Sequence, residues 1–466
     1  MKIIPLVLTA LALLFGGQAA SAGWTRITST NGGNSDQVAL LRTADDVLHV
    51  AWHRRTGPNT EDLLHTAISA GGRVGATAPI ATGWSGIGNP ALVTAPGGIR
   101  VFFGGIRTTN SGEPNQELNT ALSANGGASW ALQVGSVVPI GAQAYGYPVS
   151  AAVLPDGTPL EAWAGTLGTW VHASLSPSTP NWDYQAPLGL YGYDAAIAAD
   201  AAGKATLAWY SSATGHLGVF AQDVAADGSP IGSPANMPGT GNMRVGMTGR
   251  TPLVARSGGG FYVAYATGYP ALNRVRLWRV GGGAPVVAKT NRTASSTATV
   301  AADAKGRLWV AWTNTVGSSP HVFARRSNRA ASVLGAVVDA GRPSGAASIF
   351  RLDASATGTA LDVFGNTSIG VSSTTATWYR RVLPGLTLLA TPTKLHRGKT
   401  SRVTFKVLDA GDPVAGARVR AGGKAGTTNA KGKVTLTIVG RNRSVGATVT
   451  AKGYVGARLG LRVLRK

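Results

Sequence analysis

Asp200-Ala-Ala-Gly203-Lys-Ala-Thr-Leu-Ala-Trp209 and Asp303-Ala-Lys-Gly306-Arg-Leu-Trp-Val-Ala-Trp312 are two copies of one pattern, a bend followed by a short apolar run that ends in an aromatic. Self-similarity is sought first because a fixed period identifies a repeat architecture before any single element is assigned. Looser copies place the aromatic at Trp52, Phe103, Trp163, Trp209, Tyr265, Trp312 and Phe364, at intervals of 51, 60, 46, 56, 47 and 52 residues. Six positions before each aromatic stands Asp46, Gly97, Gly157, Gly203, Gly259, Gly306 or Gly358. Six of these seven are glycine, which enters positive φ without steric cost, so the column reads as a tight bend.

Each bend separates two runs with strand character, as in Thr297–Ala301 and Arg307–Trp312, where alternation and β-branched residues favour strand over helix. A second pair of such runs usually follows, for example His216–Gln222 and Ser229–Gly232. Four short strands per repeat of about 50 residues predict a β-propeller blade. The aromatic column counts seven blades; six or eight would follow from a split or merged repeat. No segment sustains a 3.6-residue apolar period, so the fold class is all-β. The aromatic column is expected on the second strand, packed between neighbouring blades as core. Gly23-Trp24-Thr-Arg-Ile-Thr28 resembles the fourth-strand run Thr377-Trp378-Tyr-Arg-Arg-Val382, so the two are expected to meet where the ring closes and removes exposed sheet edges.

Composition agrees. The 466 residues include 64 Gly, 24 Pro and no Cys; 44% are hydrophobic and 14% charged, with a net charge of +23. That balance argues for an ordered chain of more than one domain. It excludes disulfides, thiolate nucleophiles, iron–sulfur clusters and cysteine-ligated zinc. At the start, Lys2, the apolar run Ile3–Phe15 and the small residues Ala20-Ser21-Ala22 have the form of a secretory signal cut after Ala22. The run is short against the roughly 20 residues a spanning helix needs, and no later stretch is long and apolar enough to span. Three parts are expected: a signal peptide at 1–22, a propeller at 23–384 and a basic module at 385–466. The mature chain is expected to be secreted, without a transmembrane segment.

Residues 385–466 hold 17 Lys or Arg against Asp409 and Asp412, a net +15, while 1–384 contribute +8. Alternating runs at Ser401–Leu408, Ala417–Ala421 and Lys433–Val439 predict a β-sandwich. The stretch Asp412-Pro-Val414-Ala-Gly416-Ala-Arg-Val419, followed by Thr427-Thr-Asn-Ala-Lys-Gly432-Lys-Val434, resembles bacterial Ig-like modules. That resemblance implies a stalk, spacer or adhesive unit. The surplus charge favours anionic surfaces in a salt-dependent way, with anionic cell-wall polymer or acidic polysaccharide as the expected partner. Nucleic acid is not expected, since no aromatic-plus-basic RNA motif is present and the chain is exported.

Ser123-Ala-Asn125-Gly-Gly127-Ala-Ser129-Trp130 resembles the Asp-box of the sialidase and BNR-repeat propellers, with Asn and Ser in the Asp and Thr places. The resemblance implies a hairpin turn between the third and fourth strands of a blade, a folding element on the face opposite an active site.

A ligand is expected on the face shared by the loops between second and third strands and those between blades. The repeat alignment puts Arg54, Arg55, Glu61 and Asp62 in the first such loop and Arg107, Glu113 and Glu117 in the second. Inter-blade segments carry Tyr145-Gly-Tyr147-Pro148 and Tyr191-Gly-Tyr193-Asp194, and Arg250-Thr-Pro252-Leu253 follows in the fifth repeat. Four tyrosines on one rim would stack on sugars and hydrogen-bond to them, or they brace the loops and plug the channel. The ligand-binding candidates are therefore Arg54, Arg55, Arg107, Glu113, Tyr145, Tyr147, Tyr191, Tyr193, Asp194 and Arg250. In the column two residues before the aromatics, only Glu161 and Asp362 are acidic. A buried carboxylate is costly unless paired, so each demands a partner or a function, or a local slip of strand register that exposes it. His49 and His53 share a strand face, and no metal site or cofactor is assigned.

The expected function is an exported propeller that binds a glycan or cell-surface ligand on its rim, with the basic module as spacer or wall anchor. The alternative is a sialidase-like glycoside hydrolase. That resemblance implies three arginines clamping a substrate carboxylate, a tyrosine nucleophile helped by Glu, and an Asp acid–base. Asn89-Pro90-Ala-Leu-Val has Asn where that family's early Arg-Ile-Pro has Arg, and Arg250-Thr-Pro252 lies in the fifth repeat. No catalytic residue carries over. Lyase or phosphodiesterase chemistry would need a His/carboxylate cluster that the sequence does not assemble.

Overall fold

The structure is a computed structural model that describes residues 23–28, 37–107, 115–133, 148–165, 168–173, 184–185, 192–241, 249–268, 271–290, 297–369 and 375–465. Among these residues every regular element is a strand. The proposed signal segment lies outside them.

The first sheet comprises Ala39–Arg42, Leu48–Gly57, Thr60–Ile68 and Ala78–Trp84, each strand antiparallel to the last. The second comprises Ala91–Ala95, Gly98–Arg107, Asn115–Ser123 and Ala131–Gln133, with the short strand Gly86–Ile87 also on Gly98–Arg107. Four more follow the same meander, beginning at Val149–Val153, Gly192–Ala199, Leu253–Ala255 and Ala298–Ala302. The seventh joins Ala346–Thr357, Ala360–Ile369 and Thr375–Val382 to the N-terminal strand Thr25–Arg26, through Thr25 opposite Tyr379 and Arg26 opposite Trp378. Thr375–Val382 is thus a third strand, not the fourth strand expected from sequence. The N-terminal strand supplies the fourth, and Trp24 Nε1 donates to the Ala340 carbonyl at 3.0 Å to fix it.

The repeat columns have clear structural meanings. All seven bend residues adopt positive φ, from 49° at Gly358 to 95° at Gly259, with Asp46 at 65°. All seven aromatics lie on second strands and are buried. Apolar clusters join each sheet to the next: Phe103 packs with Leu63, Trp163 with Phe102, Trp209 with Leu160, Tyr265 with Tyr210, Trp312 with Tyr262, Leu352 with Trp309 and Trp52 with Phe364. The last of these links the seventh sheet back to the first. Packing the faces of neighbouring sheets together in this way gives a propeller-like arrangement that returns from the seventh sheet to the first.

The two acidic outliers are inter-strand and inter-sheet staples. Glu161 stands opposite His172 on the adjacent strand and its Oε2 lies 3.0 Å from His172 Nδ1, both residues fully buried. Burial raises the Glu161 pKa, against the opposing pull of His172 and Arg100. Asp362 accepts Arg381 Nε and Nη2 at 2.8 and 2.9 Å, the Tyr379 hydroxyl at 2.8 Å, and Arg42 Nη2 at 2.5 Å from the first sheet. Neither is exposed by a register slip.

The Asp-box-like stretch is a turn between the third and fourth strands of the second sheet. Asn125 Oδ1 accepts from the Ser123 hydroxyl and the Ser129 amide at 2.9 Å each, and the Ser123 hydroxyl accepts the Gly127 amide at 2.8 Å. Its tip lies on the first sheet, where a Cβ on Gly127 would stand 2.0 Å from the His65 ring. His65 in turn stacks on His49, with His49 Nδ1 3.1 Å from His65 Nε2. Burial and the neighbouring His49 hold the His65 pKa down at about 4, against the opposing pull of the Gly127 backbone.

Beyond Val382 two sheets face each other. One holds Thr387–Thr391, Thr400–Asp409, Asp412–Pro413 and Lys433–Val439; the other holds Lys394–His396, Ala457–Leu464, Ser444–Thr450, Arg418–Ala421 and Lys424–Thr427. Between them lie Leu388, Val403, Phe405, Val419, Leu436, Ile438, Val449 and Leu461. This core joins the preceding seven sheets through a charged junction. Arg326 pairs with Asp409, Arg307 Nη1 lies 3.1 Å from Asp409 Oδ2, and Arg307 Nη2 lies 2.6 Å from Asp412 Oδ2. Arg326 also sits over the Trp309 and Tyr454 rings.

Candidate functional site at the mouth of the central cavity

First strands from all seven sheets, with the residues leading into them, line one cavity of ≈ 300 Å³. Its lining includes Leu40, Leu92, Ala151, Ala196, Leu253 and Val300, with Asp353 from the seventh sheet. Small and medium side chains at these positions leave the middle of the ring open, whereas the second strands carry the large aromatics.

Arg250 is among the residues that line this cavity. Its guanidinium donates to three main-chain carbonyls of three different sheets: Val38 at 2.5 Å, Pro90 at 2.7 Å and Val149 at 3.1 Å. Its amide donates to Gln37 Oε1 at 2.8 Å. Asp194, held at φ 55°, steadies the same segment: its side chain accepts the Gly249 amide at 2.8 Å and its carbonyl accepts the Thr251 amide at 2.7 Å. Burial draws the Arg250 pKa down, and the negative charge of Asp353 acts against that shift. Asp353 is itself pushed up by burial, while Arg250, Gln37 Nε2 at 2.8 Å and the Val38 amide at 3.3 Å hold it down.

Two sequence-derived candidates, Asp194 and Arg250, are therefore brought together, but Arg250 differs from the expected ligand group. Its fork is occupied by the ring's own carbonyls, which makes it a plug that ties sheets one, two and three to the fifth. Arg351, which sequence reasoning missed, lines the same cavity, and its buried Nε and Nη1 have no hydrogen-bond partner among the described residues. The available signal was the alternation of Arg351 and Asp353 in a first strand, which puts both side chains on one face of that sheet.

Arg54, Arg55, Glu61 and Asp62 are not in a loop. Leu48–Gly57 and Thr60–Ile68 leave only Pro58 and Asn59 between them, and the four side chains form cross-strand pairs. Arg54 Nη2 lies 2.8 Å from Asp62 Oδ2, and Arg55 Nε lies 3.6 Å from Glu61 Oε1. Glu61 Oε2 also accepts the Ile87 amide at 2.7 Å, tying this hairpin to the second sheet. Arg54 borders a separate cavity with Arg26, Trp52 and Leu64. Arg107 and Glu117 likewise belong to strands, and Arg107 is exposed at the end of its ladder. The described residues thus leave Arg54, Arg107 and Arg250 in three separate places. Tyr193 stacks on Tyr210 at 6.1 Å between ring centres and packs in the cluster between the fourth and fifth sheets. Glu113, Tyr145, Tyr147 and Tyr191 lie outside the described residues.

No protein-family model and no curated protein matches the chain. Among solved structures it is similar to a protein of unknown function from Dyadobacter fermentans, at 10% identity over 78% of this chain and 98% of that one, with a TM-score of 0.45. It is similar to a polysaccharide lyase, an ulvan lyase bound to -[GlcA(1-4)Rha3S]-, at 11% identity over 78% and 96%, TM-score 0.45. It is also similar to the NanB sialidase of Streptococcus pneumoniae, at 7% identity over 78% and 70%, TM-score 0.45.

Proposed function

We propose that the chain is an exported seven-bladed β-propeller binding protein that takes a carboxylate-bearing saccharide at the mouth of its central cavity, with a basic Ig-like module as its anchor to anionic cell wall. On this reading residues 1–22 are the cleaved signal, 23–384 the propeller and 385–466 the module. The observation that carries the ligand assignment is Arg351. A buried guanidinium donor without an acceptor costs about 1–3 kcal/mol or more, which an incoming oxyanion would offset. The other charged groups at the mouth are already satisfied: Arg250 by carbonyls, Asp353 by Gln37 and Val38, Asp194 by the 249–251 backbone. Ser150, Thr297 and Thr299 among apolar neighbours add the mixed polar and apolar lining that a sugar ring needs. Calorimetric titration with a uronate disaccharide and its neutral counterpart tests this. The acidic sugar should bind, and Arg351→Gln should weaken it about tenfold, the loss of one charge-assisted contact of roughly 1.4 kcal/mol. Equal affinity for the neutral sugar, or no change in the variant, would refute the site. Release of new reducing ends from the ligand would replace binding with hydrolase or lyase chemistry.

A further inference from the structure

The exposed face of the five-stranded C-terminal sheet carries Lys394, Arg418, Arg420, Arg458 and Arg462 and no carboxylate. The reason lies at the junction. Asp409 and Asp412 are the only acidic residues from 385 onward, and both are held by Arg307 and Arg326 of the preceding sheets. Nothing anionic in the module remains to neutralise that face.

Strand register orders these cations. Lys394, Arg462 and Ser444 form one row across the strands, and Arg458, Thr448 and Arg420 form another. Between the rows Gly460 stands opposite Gly446, both exposed, and a Cβ on either would meet nothing within 4 Å. Rows two pleats to either side of such a pair stand about 13 Å apart at the backbone, and Arg458 and Arg420, two strands apart, about 10 Å. The result is a shallow trough floored by backbone and flanked by guanidinium and ammonium groups.

We propose that this trough seats one strand of a linear, carboxylate-bearing polysaccharide. The inference rests on reading the module as an anchor and names its binding face. A side-chain-free floor admits a sugar backbone, and flanking cations meet charges repeated along it. The face lacks the stacked aromatics that hold single-stranded nucleic acid, and its single half-buried apolar side chain, Leu464 at the end of the strand, falls far short of the apolar face that enters a bilayer.

The test uses the full chain and immobilised polygalacturonate at about 50 mM and about 500 mM salt, bracketing a Debye length near that of the trough. Retention should be strong at low salt and fall at least tenfold at high salt. Arg420→Gln with Arg458→Gln should weaken low-salt binding about tenfold. Gly446→Val with Gly460→Val should weaken it comparably at unchanged charge and unchanged melting temperature, since both sites are open. Arg402→Gln with Lys433→Gln, on the other sheet, should change it less than twofold. Failure of the wild type to bind would overturn the anchor reading itself. Binding that survives the glycine variants but is lost with Arg402 and Lys433 would overturn the trough alone. Tighter retention of duplex DNA or of anionic vesicles at equal salt would overturn the polysaccharide assignment.

Discussion

Replacing Arg250 by methionine isolates the plug at the centre of the ring. Methionine keeps most of the side-chain length and removes the fork, so the carbonyls of Val38, Pro90 and Val149 lose their shared donor. Hydrogen bonds to a charged group contribute about 1.5–3 kcal/mol each, so three set an upper limit of roughly 4.5–9 kcal/mol. Two effects reduce it: the cavity lets water reach part of the freed carbonyls, and the variant no longer desolvates a guanidinium. A net loss of about 3–4 kcal/mol follows. Unfolding entropy of about 2.1 cal/mol/K per residue over roughly 360 residues is about 0.76 kcal/mol/K, which converts that loss to a fall of about 4–5 °C in melting temperature. Arg250→Lys should recover less than half, because an ammonium cannot present a planar fork to three acceptors. Calorimetric scans of the three proteins decide the matter. A shift below about 1 °C in Arg250→Met would refute the plug and return Arg250 to the pool of ligand groups.

Stability should also fall with acid through His65. Its folded pKa of about 4 lies below the usual value of 6.5, so the unfolded chain binds the proton first. The stabilisation is complete above pH 6.5, is largely lost by pH 5, and the loss levels off at about 3 kcal/mol below pH 4. Chemical denaturation across that range should show a flatter profile for His65→Gln, and identical slopes would contradict the assignment. Gly127→Ala places a methyl against the same ring at positive φ and should cost roughly 2–4 kcal/mol in denaturant unfolding. A neutral result there would mean that the turn does not brace the first sheet. Asp409→Asn leaves two junction arginines without their shared anion, a loss of about 3–5 kcal/mol at the junction. Limited proteolysis should then cut between Leu383 and Leu386 many times faster than in the wild type, whereas an unchanged rate would exclude the junction as what protects that segment.

What could be read from the sequence was whatever repeats. The bend at Gly306 and the aromatic at Trp312 recur because every sheet meets the same steric demand at the same register, and the demand leaves a residue type behind. Glu161 and Asp362 stood out because they break that register, and the cost of burial alone announced that each needed a partner. Which partner it was could not be read. His172 is found only once the hairpin register is known, and Arg42 reaches Asp362 across 320 residues of chain, at the closure of the ring. The repeat alignment alone puts the hairpin residues Arg54 and Asp62 in a loop, although Gly57-Pro58-Asn59 already offers a compact turn between them. Arg250 was legible as a rim cation but not as a plug, because no local pattern tells an arginine whether its acceptors are a ligand's oxygens or its own backbone.

The junction bears on how the two parts would work together. A stalk that swings freely needs an exposed, unpaired linker, yet here the connecting residues are laddered themselves: Gly385 bridges Ala336 and Val455, and the Leu386 amide donates to the Val455 carbonyl at 3.1 Å. Arg307 is bound to both carboxylates of the module, and Arg326 to Asp409 beneath the Tyr454 ring. Charge is sorted by the same contacts, since the module's two anions are paired where it docks, Asp409 buried and Asp412 half-buried, and its cations are left outside. On the proposed anchor reading, docking takes up the module's anions and leaves its cations free for a polyanion, so the two can be perturbed separately. An uncompensated Asp409→Asn change would loosen the junction without altering the outer face, so polymer binding by the module should persist while the ring loses its fixed attitude to the polymer. Small-angle scattering of that variant with and without polygalacturonate separates the two effects, and a loss of polymer binding in the loosened protein would show that the face depends on the junction for more than its charge.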